Sequence, residues 1–186
     1  MTTTRLLRLA AAIDRTTGAI GRTVAWASLF VVLVQFAVVL MRYVLGIGSL
    51  WVQESIIYAH AALLMLAAAW TLRDGGHVRV DIFYADASAR TKALVDLLGA
   101  LCLLLPFAIA LGMLSAPYVA RSWSILERSR ETSGLPLVFL LKTLIPLFAL
   151  LLAMQGVSQA IRAGAVLFSP DPGKDDYVVP VRRMDA

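Results

Sequence analysis

Two histidines, His60 and His77, are the side chains in this sequence best suited to holding a metal or a haem. A b-type haem in a helical bundle needs two axial ligands at matching depth on facing helices. Here His60 falls in the middle of an apolar run, whereas His77 falls in the polar loop that follows it. Their spacing is not that of a zinc site, and no carboxylate cluster replaces one. His60 therefore reads as a packed, hydrogen-bonded histidine, and no cofactor is expected. Glu54 and Lys142 are ionisable groups set inside apolar stretches, where a charge calls for a functional hypothesis by default. Both lie near the same end of their stretches, about one turn in for Glu54 and about one and a half for Lys142. They could pair with each other, snorkel to lipid headgroups or meet a partner subunit. Cys102, the one cysteine, can form no intramolecular disulfide and reads as a small buried hydrophobe. Gly75-Gly76 lacks the strand and the pattern of a phosphate-binding loop and reads as a tight turn.

The elements that carry these residues follow from composition. The 186 residues are 60% hydrophobic, more apolar surface than one water-soluble core can hide, and this points to a membrane protein. The net charge of +5 does not indicate nucleic acid, because the basic residues fall in short clusters between apolar stretches.

Four spanning helices in two hairpins are expected, at about residues 23–45, 52–72, 93–119 and 137–161, each near or above the length of about 20 residues that crosses the hydrocarbon. Before them, residues 1–22 place Leu6, Leu9, Ala10, Ile13, Thr17 and Ile20 at helical spacing, with Arg8, Arg15 and Arg22 on another face. This predicts an amphipathic helix at the membrane surface. A cleaved signal peptide fits less well, since the apolar run begins late and continues at full spanning length. In the first span Ser28, Gln35 and Arg42 recur every seven residues, and Gly21 extends the series backward. A polar seam of this kind in lipid should face protein, either within the bundle or on a partner. In the second span Gln53, His60 and Thr71 share a face, and Glu54 lies about 120° from His60. Trp51 stands where an interfacial aromatic anchor belongs. Pro106 and Pro117 should kink or distort the third span, and Pro146 sits inside the fourth. The 163–186 tail, with three prolines and mixed charge, is expected to be mobile.

Orientation follows from the cationic residues. Arg5, Arg8, Arg15 and Arg22 precede the first span; Arg73, Arg79, Arg90 and Lys92 lie between the second and third; Arg162, Lys174, Arg182 and Arg183 follow the last. Against these twelve stand five on the other side: Arg42, Arg121, Arg128, Arg130 and Lys142. The excess places both termini and the middle loop in the cytoplasm.

Three strings in this order, Trp51-Val52-Gln53-Glu54, the run from Leu72 and Arg73 through Gly75-Gly76-His77-Val78-Arg79-Val80-Asp81, and Ser133-Gly134-Leu135-Pro136, resemble the small membrane subunit of tripartite ATP-independent periplasmic (TRAP) transporters. The resemblance covers roughly residues 24–162, and its most specific part is the string around His77. One departure is Gln53, which stands where many relatives carry an acid. The resemblance implies a bacterial inner-membrane protein without enzymatic activity, paired with a large multi-spanning subunit that holds the substrate and sodium sites and moves in elevator fashion. It also implies a periplasmic binding protein that delivers an organic acid. On that reading Arg73, Arg79 and Asp81 would fix the cytoplasmic ends of the second and third helices, with His77 adding a donor. Glu54, Gly134, Pro136 and Lys142 join the candidates for structural or partner contact. Two other readings compete: a haem- or quinone-binding anchor of a respiratory enzyme, and a stand-alone small channel.

Overall fold

The structure, a computed structural model, describes residues 2–77, 84 and 87–168. Arg79, Asp81 and the tail from Ser169 onward lie outside the described residues. The elements in chain order are α1 (Thr2–Tyr43), α2 (Leu50–Arg73), α3 (Ala89–Leu98), a π-helical segment (Gly99–Leu104), α4 (Leu105–Ser124) and α5 (Val138–Leu167). No strand occurs among the described residues. With the π segment joining α3 and α4 into one rod, the chain presents four helical spans long and apolar enough to cross a membrane, at Thr4–Tyr43, Leu50–Arg73, Ala89–Ser124 and Val138–Leu167.

The segment expected at the membrane surface and the first span are one helix. No proline interrupts α1, and its 42 residues reach about 63 Å, twice the hydrocarbon thickness. Its inner face is continuous. Ala10 and Thr17 are buried, as is Gly21, where the helix meets α2 and a side-chain Cβ would fall 2.5 Å from the Trp70 Cβ. That approach is open only to glycine. The two helices pack antiparallel along most of α2.

α5 is the central post. It packs against α1, α2, α3, the π segment and α4, whereas among the described residues α4 makes no packing contact with α1 or α2. Its sequence explains this: Ala149, Gly156 and Ala163, spaced seven apart, give it a small-residue surface that neighbouring backbones can approach closely, and all three are buried. At Gly156 a Cβ would lie 3.0 Å from the Leu104 Cδ2, so α5 presses directly on the π segment.

Pro106 acts through that segment. It has no N–H to give the carbonyl four residues earlier. The turn ahead of it widens, and the Leu105 N–H bonds to the Ala100 carbonyl, five residues back. Pro117 sits within α4, which continues past it to Ser124.

Two helix ends close by the same device. After α2 the Gly76 N–H returns to the Thr71 carbonyl and the Gly75 N–H to Leu72, with Gly75 at φ +68°. This is the tight turn that the glycine pair implied. After α4 the Glu127 N–H returns to Ser122 and the Leu126 N–H to Trp123, but here a leucine occupies the left-handed position, at φ +46°.

Candidate functional site

The polar side chains that tie one part of the bundle to another through Asp14 and Glu54 lie at its two ends. At the end that holds the start of α1 and the close of α5, the centre is Asp14. Its Oδ1 accepts from the Gln155 Nε2 at 3.0 Å and the Ser158 hydroxyl at 2.7 Å; its Oδ2 accepts from the Arg162 Nε at 3.0 Å and pairs with Arg162 Nη2. Gln155, Ser158 and Arg162 follow one another at three and four residues, so a single face of α5 presents all three. Thr17 adds a hydroxyl to the Gln155 Oε1 at 2.9 Å. Arg73, the last residue of α2, donates to the Asp14 backbone carbonyl at 2.8 Å and bonds Asp74 at 2.7 Å. α1, α2 and α5 are thus tied at one level. Arg73, expected with Arg79 and Asp81 to fix the ends of the second and third helices, ties the end of α2 to α1.

At the opposite end the centre is Glu54. Its two oxygens accept from the Ser129 hydroxyl at 2.6 Å and the Leu135 N–H at 2.5 Å. Gly134 lies against this pair: a Cβ there would stand 2.3 Å from the Ser129 Oγ and 2.7 Å from the Glu54 Oε1. Two of the strings read from the sequence, one at the start of α2 and one before α5, therefore meet in space around one carboxylate. Pro136 follows, half-buried, and leads into α5.

Lys142 does not pair with Glu54. It bonds Glu127 at 2.5 Å, its Nζ stands 4.1 Å from the centroid of the Tyr118 ring, and Glu127 also accepts from the Ser122 hydroxyl at 2.7 Å. The returning turn after α4 is what brings Glu127 back over these donors. Next to it the Trp123 Nε1 donates to the Thr143 hydroxyl at 2.9 Å, and the Trp123 ring meets Phe139 edge-on at 4.7 Å. The Lys142 hydrogen bond, then that of Ser122, holds the Glu127 carboxyl below the usual glutamate range. A carboxyl whose pKa is depressed in the folded state adds stability above its unfolded pKa and loses it as pH falls through the folded value. The stability difference between the unmodified protein and Glu127→Gln, followed by thermal unfolding in detergent, should therefore be constant near neutrality. It should vanish as pH falls through and below the ordinary glutamate range.

The remaining candidates face outward. Ser28, Gln35 and Arg42 are exposed, and Ser28 bonds only the Ala25 carbonyl of its own helix. Trp51 and His77 are exposed as well; Thr71 bonds back to the Ala67 carbonyl. His60 is not packed in the bundle: it lies between Ile57 and Leu64 in the exposed stripe of α2 and has no hydrogen bond among the described residues. Gln53 is half-buried and lines, with Arg42, a hollow where α1 ends and α2 begins. Among the described residues no cluster of three metal-binding side chains occurs.

Asp14 was the residue that sequence reasoning passed over. Its signal was present: it is the sole acid among the first 53 residues, and it continues the seven-residue series of Gly21, Ser28, Gln35 and Arg42 one step further back.

No curated protein and no solved structure matches the chain. The family model described as "Tripartite ATP-independent periplasmic transporters, DctQ component" matches residues 31–165, which takes in the last third of α1 and everything from there through α5 save its last two residues. The chain belongs to that family and is the small membrane component of a tripartite ATP-independent periplasmic transporter.

Proposed function

We propose that the chain is the fixed scaffold of a sodium-coupled importer. It would lie in the bacterial inner membrane with both termini in the cytoplasm, bracing a large elevator-type subunit that takes an organic acid from a periplasmic binding protein. The observation that carries this reading is where the polar groups go. Asp14 and Glu54, the acids of the first two helices, are both spent on internal ties at opposite ends of the bundle, Asp14 to α5 and Glu54 to the segment that leads into α5. Between those ends α5 buries Ala149, Leu151 and Leu152. A solute pathway needs polar groups repeated through the bilayer; a brace needs its ends fixed. The excess of Arg and Lys at the end of the termini supports the orientation.

Reconstitution tests the proposal. Liposomes holding the large subunit and this chain, supplied with binding protein and an inward sodium gradient, should take up substrate, and liposomes holding this chain alone should not. Uptake by the chain alone would refute the scaffold reading, and a haem absorption band in the purified protein would favour a respiratory anchor.

A further inference from the structure

The outer groove between α1 and α2 carries polar side chains at bilayer depth that the chain itself leaves without partners. Arg42 and Gln53 line the hollow at one end of this groove. Seven residues back along α1 and seven forward along α2 keep each position on its own helix face, and in an antiparallel pair both steps move about 10 Å in the same direction. That step sets Gln35 level with His60. A further step sets Ser28 level with Ala67, and the groove then closes where Trp70 packs on Gly21. Gln35, Arg42 and His60 are exposed and Gln53 half-buried, and none of the four has a hydrogen bond or ion pair among the described residues.

We infer that this groove is the seat of a transmembrane helix of the large subunit, and that the helix brings a hydrogen-bond acceptor to the level of Gln35 and His60 and a carboxylate to Arg42. The inference rests on the scaffold reading above and specifies its contact face. Acyl chains offer nothing to an amide or an imidazole, so lipid leaves the middle level unsatisfied. A second copy of this chain fits no better. Two copies inserted the same way meet at equal depths, which sets Arg42 against Arg42, and the nearest acids, Asp14 and Glu54, are engaged elsewhere. The seven-residue series along α1 leads in the same direction: its lower members Asp14 and Gly21 are covered by α5 and α2, and its upper members are open.

The test uses the assembled complex, purified in mild detergent, with Cys102→Ala removing the exposed native thiol. Single cysteines at Gln35→Cys and His60→Cys, treated with a short bis-maleimide, should capture the large subunit. Leu114→Cys on α4, whose native side chain is 76% exposed, should not. The double variant Gln35→Leu/His60→Leu should lower the large subunit recovered with the chain about tenfold, while the chain itself remains folded by circular dichroism. Capture from Leu114→Cys with silence from the groove overturns the inference and leaves the scaffold reading intact. Crosslinks joining two copies of this chain through Gln35→Cys or His60→Cys overturn it in favour of a homodimer. An intact complex with no crosslink from any position assigns the groove to lipid and also overturns it. If no large subunit copurifies with the unmodified chain, the scaffold reading itself fails.

Discussion

Asp14→Ala should lower the unfolding free energy of the bundle by about 4 kcal/mol, the largest loss expected from any single side chain here. The substitution removes the acceptor of three side chains on α5 at once. Two of the donors stay behind in an enclosed place: Ser158 is 0% exposed and Gln155 is 3% exposed, so water cannot readily replace what they lose. The third, Arg162, is 49% exposed and its ion pair with Asp14 is screened accordingly. The comparison with Asp14→Asn separates these parts. The amide oxygen still accepts from Ser158 and Gln155, but the NH2 that replaces Oδ2 cannot accept from Arg162, so the bonds and the ion pair to that half-exposed guanidinium are lost, about 1 kcal/mol. Denaturant or thermal unfolding in detergent followed by far-ultraviolet circular dichroism measures both. Equal losses for the two variants would mean that the ion pair, and not the buried hydrogen bonds, holds α1 to α5.

Glu54→Ala is the second large effect, about 3 kcal/mol. Both carboxylate oxygens are engaged by groups from the segment between α4 and α5. One of these, the Leu135 N–H, belongs to a residue only 6% exposed, where water does not readily take the carboxylate's place. The loss should appear first as loosening of that segment, read as faster proteolysis between residues 125 and 137, and only then as lower global stability. Glu54→Gln should cost less than about 1 kcal/mol. Its amide oxygen can keep the Leu135 N–H, and its NH2 can donate to the Ser129 hydroxyl, which is free to turn. If Glu54→Gln were as damaging as Glu54→Ala, negative charge rather than hydrogen-bond geometry would be what that end of α2 requires. Gly134 carries the same dependence in another form, since any side chain there displaces the Ser129 hydroxyl from the carboxylate.

What sequence could and could not reveal follows from the range of each interaction. The spans were legible because a helix that crosses lipid must be apolar for about 20 residues in a row. The turn at Gly75-Gly76 was legible because a left-handed residue closing a helix favours glycine. The fate of Asp14 was not, because its partners lie more than 140 positions away on the last helix. Spacing along one helix says which residues share a face but not which face of another helix they meet. Lys142 shows the same limit on a shorter scale. Its depth within the apolar run was evident, but Glu127 over Glu54 was decided by a reversal after α4 built on a leucine in a conformation that leucine seldom adopts. His60 was misplaced for a related reason: a lone histidine in an apolar helix looks like interior, yet its neighbours at helical spacing, Ile57 and Leu64, are both exposed. The α1 series shows how a local pattern can be right about a face and silent about its occupant. Its lower members are covered within the chain and its upper members are not.

The six residues Gly99–Leu104 also set the azimuth of everything after them. A wide turn takes up more residues per revolution than an α turn, so it works as a phase shifter between the two halves of one rod. An unbroken α-helix from Ala89 would deliver Tyr118, Ser122 and Trp123 to a different compass bearing, rotated by about 100° for each residue of slippage. The contacts of Lys142 and Thr143 thus depend on a dial set four turns away, where Gly156 leaves room for it to be set.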